Sequence, residues 1–115
     1  METLLLLLYN FEVVERGMDI HQFSRFISMA PARRYELYPR KEALVIGADA
    51  GVTVIDPALS WTVEAAQCQS VARWSPYDGM ELTGRVTRTL VRGTVVFDGR
   101  NIASTPGDGV FVPPL

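Results

Sequence analysis

Apolar residues recur at helical spacing through the first third of the chain and at strand spacing through the last two thirds. Leu4, Leu7, Leu8 and Phe11 fall on one helical face, and Leu5, Val13 and Val14 widen it. A face this wide predicts a helix buried between layers. Gly17 follows Glu15 and Arg16 and should stop it. Asp19 then stands at an N-cap position, with Gln22 three residues later in a capping-box pattern, and Ile20, Phe23 and Ile27 give a second helix its inward stripe. Pro31 has no amide hydrogen, so this helix should end or kink near Met29 or Ala30. A short helix led by Pro31 should carry Ala32 to Leu37.

Beyond Pro39 the period changes. Ala43 to Ile46, Val52 to Ile55 and Trp61-Thr62-Val63 are short β-prone runs, the first two parted by Gly47-Ala48-Asp49-Ala50-Gly51. Gln67 to Met80 reads as a loop. Arg85 to Phe97 carries the strongest strand signal, with Arg92-Gly93 placed to turn a hairpin. Asp98-Gly99 marks another turn, and the proline-bearing tail reads as a surface strap. The predicted class is α+β: two or three N-terminal helices, then β-strands. Residues 1–41 form the helical segment and residues 42–115 the β-rich one.

Composition narrows the functions. The chain has 115 residues, 48% of them apolar, with eleven basic and thirteen acidic side chains. Apolar content this high with a net charge of −2 argues against disorder. Residues 1–41 carry +1 and residues 42–115 carry −3, so neither half offers a basic face to nucleic acid. The longest leucine run, Leu4 to Leu8, is far short of the ~20 residues of a membrane span. It also follows Met-Glu-Thr, without the basic start of a signal peptide. No membrane partner is expected. One cysteine, Cys68, excludes an intrachain disulfide and fits a reducing cytoplasm.

Candidate chemistry is sparse. His21 is the only histidine and lies off the inward stripe, where a solvated side chain explains it. Cys68 has no downstream histidine to activate it. Asp49, Asp56 and Asp78 sit at turns, where carboxylates bond local amides. Arg33, Arg34, Arg40 and Lys41 cluster around Tyr35 and Tyr38, a pattern for an ion-pair patch or, alternatively, an anion contact. No catalytic constellation emerges.

The order of segments nevertheless resembles a known family. Ala30-Pro31-Ala32-Arg33-Arg34-Tyr35-Glu36-Leu37-Tyr38-Pro39-Arg40-Lys41 is followed by Ile46-Gly47-Ala48-Asp49-Ala50 and Val54-Ile55-Asp56-Pro57. Trp61-Thr62-Val63, Ser75-Pro76-Tyr77-Asp78-Gly79 and the run from Gly84 to Gly99 come next. Together they resemble the C-terminal region of cyclic amidohydrolases, the hydantoinase, dihydropyrimidinase, allantoinase and dihydroorotase relatives. The likeness covers nearly all of the chain, and Glu2-Thr3-Leu4-Leu5 looks like the stretch just past the last barrel strand. It implies that residues 1–41 end a TIM barrel and that residues 42–115 form part of a β-sandwich assembled from both chain ends.

The resemblance further implies hydrolysis of a cyclic amide by zinc or a similar divalent metal pair. The family's ligands for it, a His-x-His pair, a carboxylated lysine, two more histidines and an aspartate, lie upstream of the matched region. No catalytic or metal residue therefore carries over, and the isolated chain is expected to be inactive. Thr3 alone falls near a position where some relatives contact substrate. The expected partners are another copy of the chain or an N-terminal amidohydrolase segment; a non-catalytic binding or subunit-contact module is the alternative. Ala30 stands where relatives usually have Asn, which predicts a lost N-cap worth about 1 kcal/mol. Glu36 and Glu42 stand where they usually have Gly, which predicts strain of about 1 kcal/mol or more if φ is positive there. Gly51 replaces a customary Asp.

Overall fold

In the computed structural model, residues 2–115 are described. Helix α1, Leu4–Leu8, passes straight into a π-helical stretch, Tyr9–Glu15. Its end is marked by the Arg16 amide donating to the Phe11 carbonyl and Met18 donating to Glu12. Asp19 caps α2, Ile20–Ser24: its Oδ1 accepts from the amides of His21 at 3.0 Å and Gln22 at 3.2 Å. A second π-helical stretch, Arg25–Met29, leads into α3, Ala30–Arg34.

The helix therefore runs through Ala30 instead of stopping before Pro31. The wider π turn explains this. The Ala30 amide reaches back five residues to the Arg25 carbonyl, and the next residue is the proline that has no hydrogen to give. Ala30 has helical φ and ψ within that run, so it is not an N-cap and no cap is lost there. The strain expected at the two glutamates is present: Glu36 has φ 57° and Glu42 has φ 61°.

Strands β1 (Val52–Thr62), β2 (Glu81–Val91) and β3 (Thr94–Phe97) form a three-stranded sheet in the order β1-β2-β3. Two of the expected short strands, at Val52 and at Trp61, are the ends of one long β1. The β2–β3 hairpin pairs Val91 with Thr94 and Leu90 with Val95, and a bulge separates Leu90 from Thr89. Its two-residue turn is Arg92-Gly93, with φ 49° and 78°, the doubly positive geometry that matches strand twist. Ala43 to Ile46 does not form a strand. Leu44, Val45 and Ile46 are all exposed and have no neighbouring strand to pair with. An isolated β-prone run gains too little to order as a strand.

The chain packs as two compact units, each assembled from separate stretches. One comprises residues 1–18 and 55–85; the other comprises residues 19–54 and 86–115. In the first, Leu6, Leu7, Tyr9, Val63, Ala65 and Leu82 are buried. The second buries Phe23 and Ala32.

Candidate functional site

The first unit places its most constrained polar group among the leucines. Asn10 is buried at the start of the π stretch. Its Oδ1 accepts from the Thr83 amide at 2.9 Å and its Nδ2 donates to Glu15 Oε1 at 2.6 Å. A buried amide without such partners would cost about 1–3 kcal/mol, so these bonds fix the helix on β2 in one register. Tyr9, its neighbour, lies against Gly84. A Cβ at Gly84 would come within 2.5 Å of the Tyr9 ring, and Gly84 also has φ +97°. Glycine is required there on both counts.

Trp61 reinforces the same junction. Its Nε1 donates to the Gly84 carbonyl at 2.9 Å, and the Arg85 guanidinium lies 5.6 Å from its ring centroid. Asp78 Oδ1 accepts from the Ala65 amide at 2.7 Å, closing the long loop back on the short 3₁₀ turn Ala65–Gln67. Thr3 immediately precedes α1; its carbonyl accepts from Leu7 at 2.9 Å, and its side chain makes no capping bond. Cys68 is half-buried, with Sγ 3.8 Å from the Glu64 carbonyl.

The second unit gathers the basic cluster around one carboxylate. Asp49 Oδ2 lies 3.0 Å from Lys41 Nζ and 3.3 Å from Arg40 Nε. This oxygen is out of contact with solvent, and its partners are these two cations rather than a donor with good hydrogen-bond angles. Lys41, through contact and charge, and then Arg40 lower the Asp49 pKa against the opposing effect of desolvation. The Arg33 guanidinium stacks over Tyr38 at 4.8 Å. Two of the four basic residues are thus committed to an ion pair and a third to a ring. Asp56 Oδ1 accepts from Ala58 at 2.9 Å, as a turn carboxylate should, and His21 is exposed beside the Asp19 cap.

A depression of about 460 Å³ lies between the β2–β3 hairpin and the tail, lined by Arg92, Thr94, Thr105 and Asp108 among others. Its charged groups and Thr105 are engaged with one another. Arg92 donates to the Asp108 carbonyl at 2.6 Å, and the Asp108 carboxylate accepts from the Thr105 amide and hydroxyl. Among the described residues no three His, Cys, Asp or Glu side chains converge to hold a metal ion. No described helix is long and apolar enough to cross a membrane. Among the described residues the arrangement is one of tied junctions, without a nucleophile facing a base. Asn10 is what the sequence reading missed, although a lone amide inside an apolar run was its visible signal.

The comparisons with known proteins agree with this architecture. No protein-family model matches the chain. The L-hydantoinase of Paenarthrobacter aurescens is 32% identical over 112 residues, which is 97% of this chain and 24% of that protein. A D-phenylhydantoinase of Escherichia coli is 31% identical over 120 residues, covering 99% of this chain and 26% of that one. The solved structure of an L-hydantoinase (dihydropyrimidinase) from Arthrobacter aurescens superposes with a TM-score of 0.85 at 31% identity, over 90% of this chain and 23% of its own. The chain spans about a quarter of the length of the curated relatives it matches. By sequence and backbone together the chain is similar to a quarter-length segment of hydantoinases and dihydropyrimidinases.

Proposed function

We propose that this chain is the C-terminal segment of a cytoplasmic cyclic amidohydrolase, supplying scaffold to an enzyme that hydrolyses the C–N bond of a cyclic amide. The observation that carries the reading is likeness over nearly the whole chain to hydantoinases about four times as long, by sequence and by backbone alike. In this reading residues 1–41 are the last helical part of a barrel, and residues 42–115 are the C-terminal share of a sandwich. Thr3 is the one residue assigned to the substrate side, since it precedes α1 where some relatives contact substrate.

A divalent metal pair, zinc or similar, would activate the attacking water in such an enzyme. The residues of this chain do not fit that group. A catalytic zinc takes about three protein ligands, and among the described residues no such cluster exists. No step of the hydrolysis is therefore assigned to a side chain of this segment. Its part is to hold structure: Asn10 and Tyr9 lock the first helical run onto β2, and Trp61 ties β1 to the same strand.

A second reading, a non-catalytic binding or subunit-contact module on the same scaffold, is favoured by the exposed apolar residues at Phe26, Leu44 and Ile46. One assay separates the two. The purified chain should open neither hydantoin nor dihydrouracil, with or without added zinc. Co-expression with the upstream three quarters of the P. aurescens L-hydantoinase should yield metal-dependent ring opening. Turnover by the chain alone, or none by the co-expressed pair, would contradict the first reading.

A further inference from the structure

Residues 104–114 run as an arch between two backbone anchors. At one end the Ala103 amide donates to the Val96 carbonyl at 2.8 Å, and at the other the Leu115 amide donates to the Glu36 carbonyl at 2.8 Å. Among the described residues, one hydrogen bond ties the arch to the rest of the chain between those points. Arg92 Nη2, on the β2–β3 turn, donates to the Asp108 carbonyl at 2.6 Å. The remaining hydrogen bonds of the arch are internal. The Thr105 amide and hydroxyl donate to the Asp108 carboxylate, and the Asp108 amide donates back to the Thr105 carbonyl. This ring holds the Asp108 carbonyl where the guanidinium reaches it. Packing adds little, since Val110 and Phe111 are exposed and only Ser104 and Val112 are half-buried.

Arg92 itself stands on unfavourable backbone. It opens the two-residue turn with φ 49°, a place where Asn, Asp or Gly is preferred. A left-handed arginine is strained, and strain that persists points to work for the side chain. The turn does not need that side chain to hold its position. The Gly93 amide donates to the Ala50 carbonyl at 2.8 Å and fixes the turn by itself.

We propose that residues 104–114 are a strap that opens and closes over the depression at the hairpin, and that Arg92 is its latch. The hairpin lines that space of about 460 Å³ with Val91, Thr94 and Val96. Opening breaks the single guanidinium bond and spares both anchors and the Thr105–Asp108 ring. It is therefore a local event, far less costly than global unfolding.

The test is timed digestion of the full chain with dilute chymotrypsin, read by intact mass. A protease needs several extended residues on each side of the bond, so cutting after Phe111 reports the lifted strap. Arg92→Asn removes the latch and leaves a favoured turn residue. It should speed cutting after Phe111 about fivefold, the loss of one hydrogen bond, and leave cutting after Trp74 in the other unit unchanged. Its urea midpoint should not fall, because the turn is relieved of strain. Backbone order parameters of Gly107, Gly109 and Phe111 give a second measure. They should lie near the rigid value of ~0.85 in the wild-type chain and below ~0.6 in Arg92→Asn. Equal cutting after Phe111 in the two chains, or equal order parameters, would overturn the latch. A strap already loose in the wild-type chain would overturn the strap itself. Faster cutting after Phe111 and Trp74 alike, with a lowered urea midpoint, would make Arg92 a residue of general stability and also overturn the latch.

Discussion

The two units of this chain are held together by different physics. The first buries Leu82 and Val63 at 1% exposure each and ties its one buried amide, Asn10, to a strand. The second buries only Phe23 and Ala32 and leaves Phe26, Leu44, Ile46 and Phe111 in water. It relies on carboxylates instead. Asp49 bridges two cations, Asp98 Oδ1 accepts from the amides of Arg100 and Asn101, and Asp108 clasps Thr105. The contrast lies in the size of the buried core, since the first unit too leaves Leu4, Val71 and Trp74 exposed.

The largest break in the contrast should come from the first unit. Gly84→Ala sets a Cβ against the Tyr9 ring at a positive φ, and Leu82→Ala empties a fully buried site. Each should cost about 2–5 kcal/mol in urea denaturation. Ile46→Ala in the second unit should stay within about 0.5 kcal/mol, since that side chain loses no contact. Equal losses at Leu82 and Ile46 would remove the distinction between the units. Next in size is Asn10→Ala, which strands the Thr83 amide and should cost about 1–3 kcal/mol. A neutral result would mean that solvent reaches that amide.

Much of this was legible in the sequence. The Asp19 cap and the hairpin at Arg92-Gly93 follow from local chemistry, which acts within a few residues, whereas the left-handed backbone under Glu36 and Glu42 was implied only by the resemblance, whose members usually have Gly there. The inward face of the first helix followed only in part, with Leu7 buried and Leu8 half-buried as expected. Leu4 and Phe11 are exposed while Leu6, Tyr9 and Asn10 are buried, because apolar residues surround the helix and the π stretch shifts its register. Ala43 to Ile46 has strand composition without a strand partner, and composition cannot show whether a partner exists. No metal constellation was expected from one histidine. Thr3, carried over from the resemblance alone, directly precedes α1.

Smaller effects sharpen the comparison in the second unit. Glu36→Gly and Glu42→Gly each relieve a left-handed residue and should stabilise by about 1 kcal/mol, read as a raised urea midpoint. A loss of stability in both would mean that the side chains contribute more than the backbone strain costs. Acid should act here as well. Lys41 contact lowers the Asp49 pKa, and amide donors lower those of Asp98 and Asp108. Carboxylates depressed in the folded state add stability that is complete above the ordinary value near 3.9 and is lost as pH falls below it, through the folded value. Protection factors of the amides in residues 86–115 and around Asp49, taken against the intrinsic exchange rate at each pH, should therefore fall below about pH 4. Because Asp98 and Asp108 are open to solvent and Asp49 is only half-buried, the change should be modest and should shrink in high salt.

Hydrogen–deuterium exchange of the chain, alone and co-expressed with the upstream hydantoinase segment, tests most directly whether the second unit is waiting for a partner. The account predicts slow exchange across Val63, Leu82 and Gly84 in both samples. Peptides spanning Lys41 to Ala48 should exchange freely in the chain alone and become protected in the pair. The same free exchange of that loop in a pair that does co-purify would contradict it.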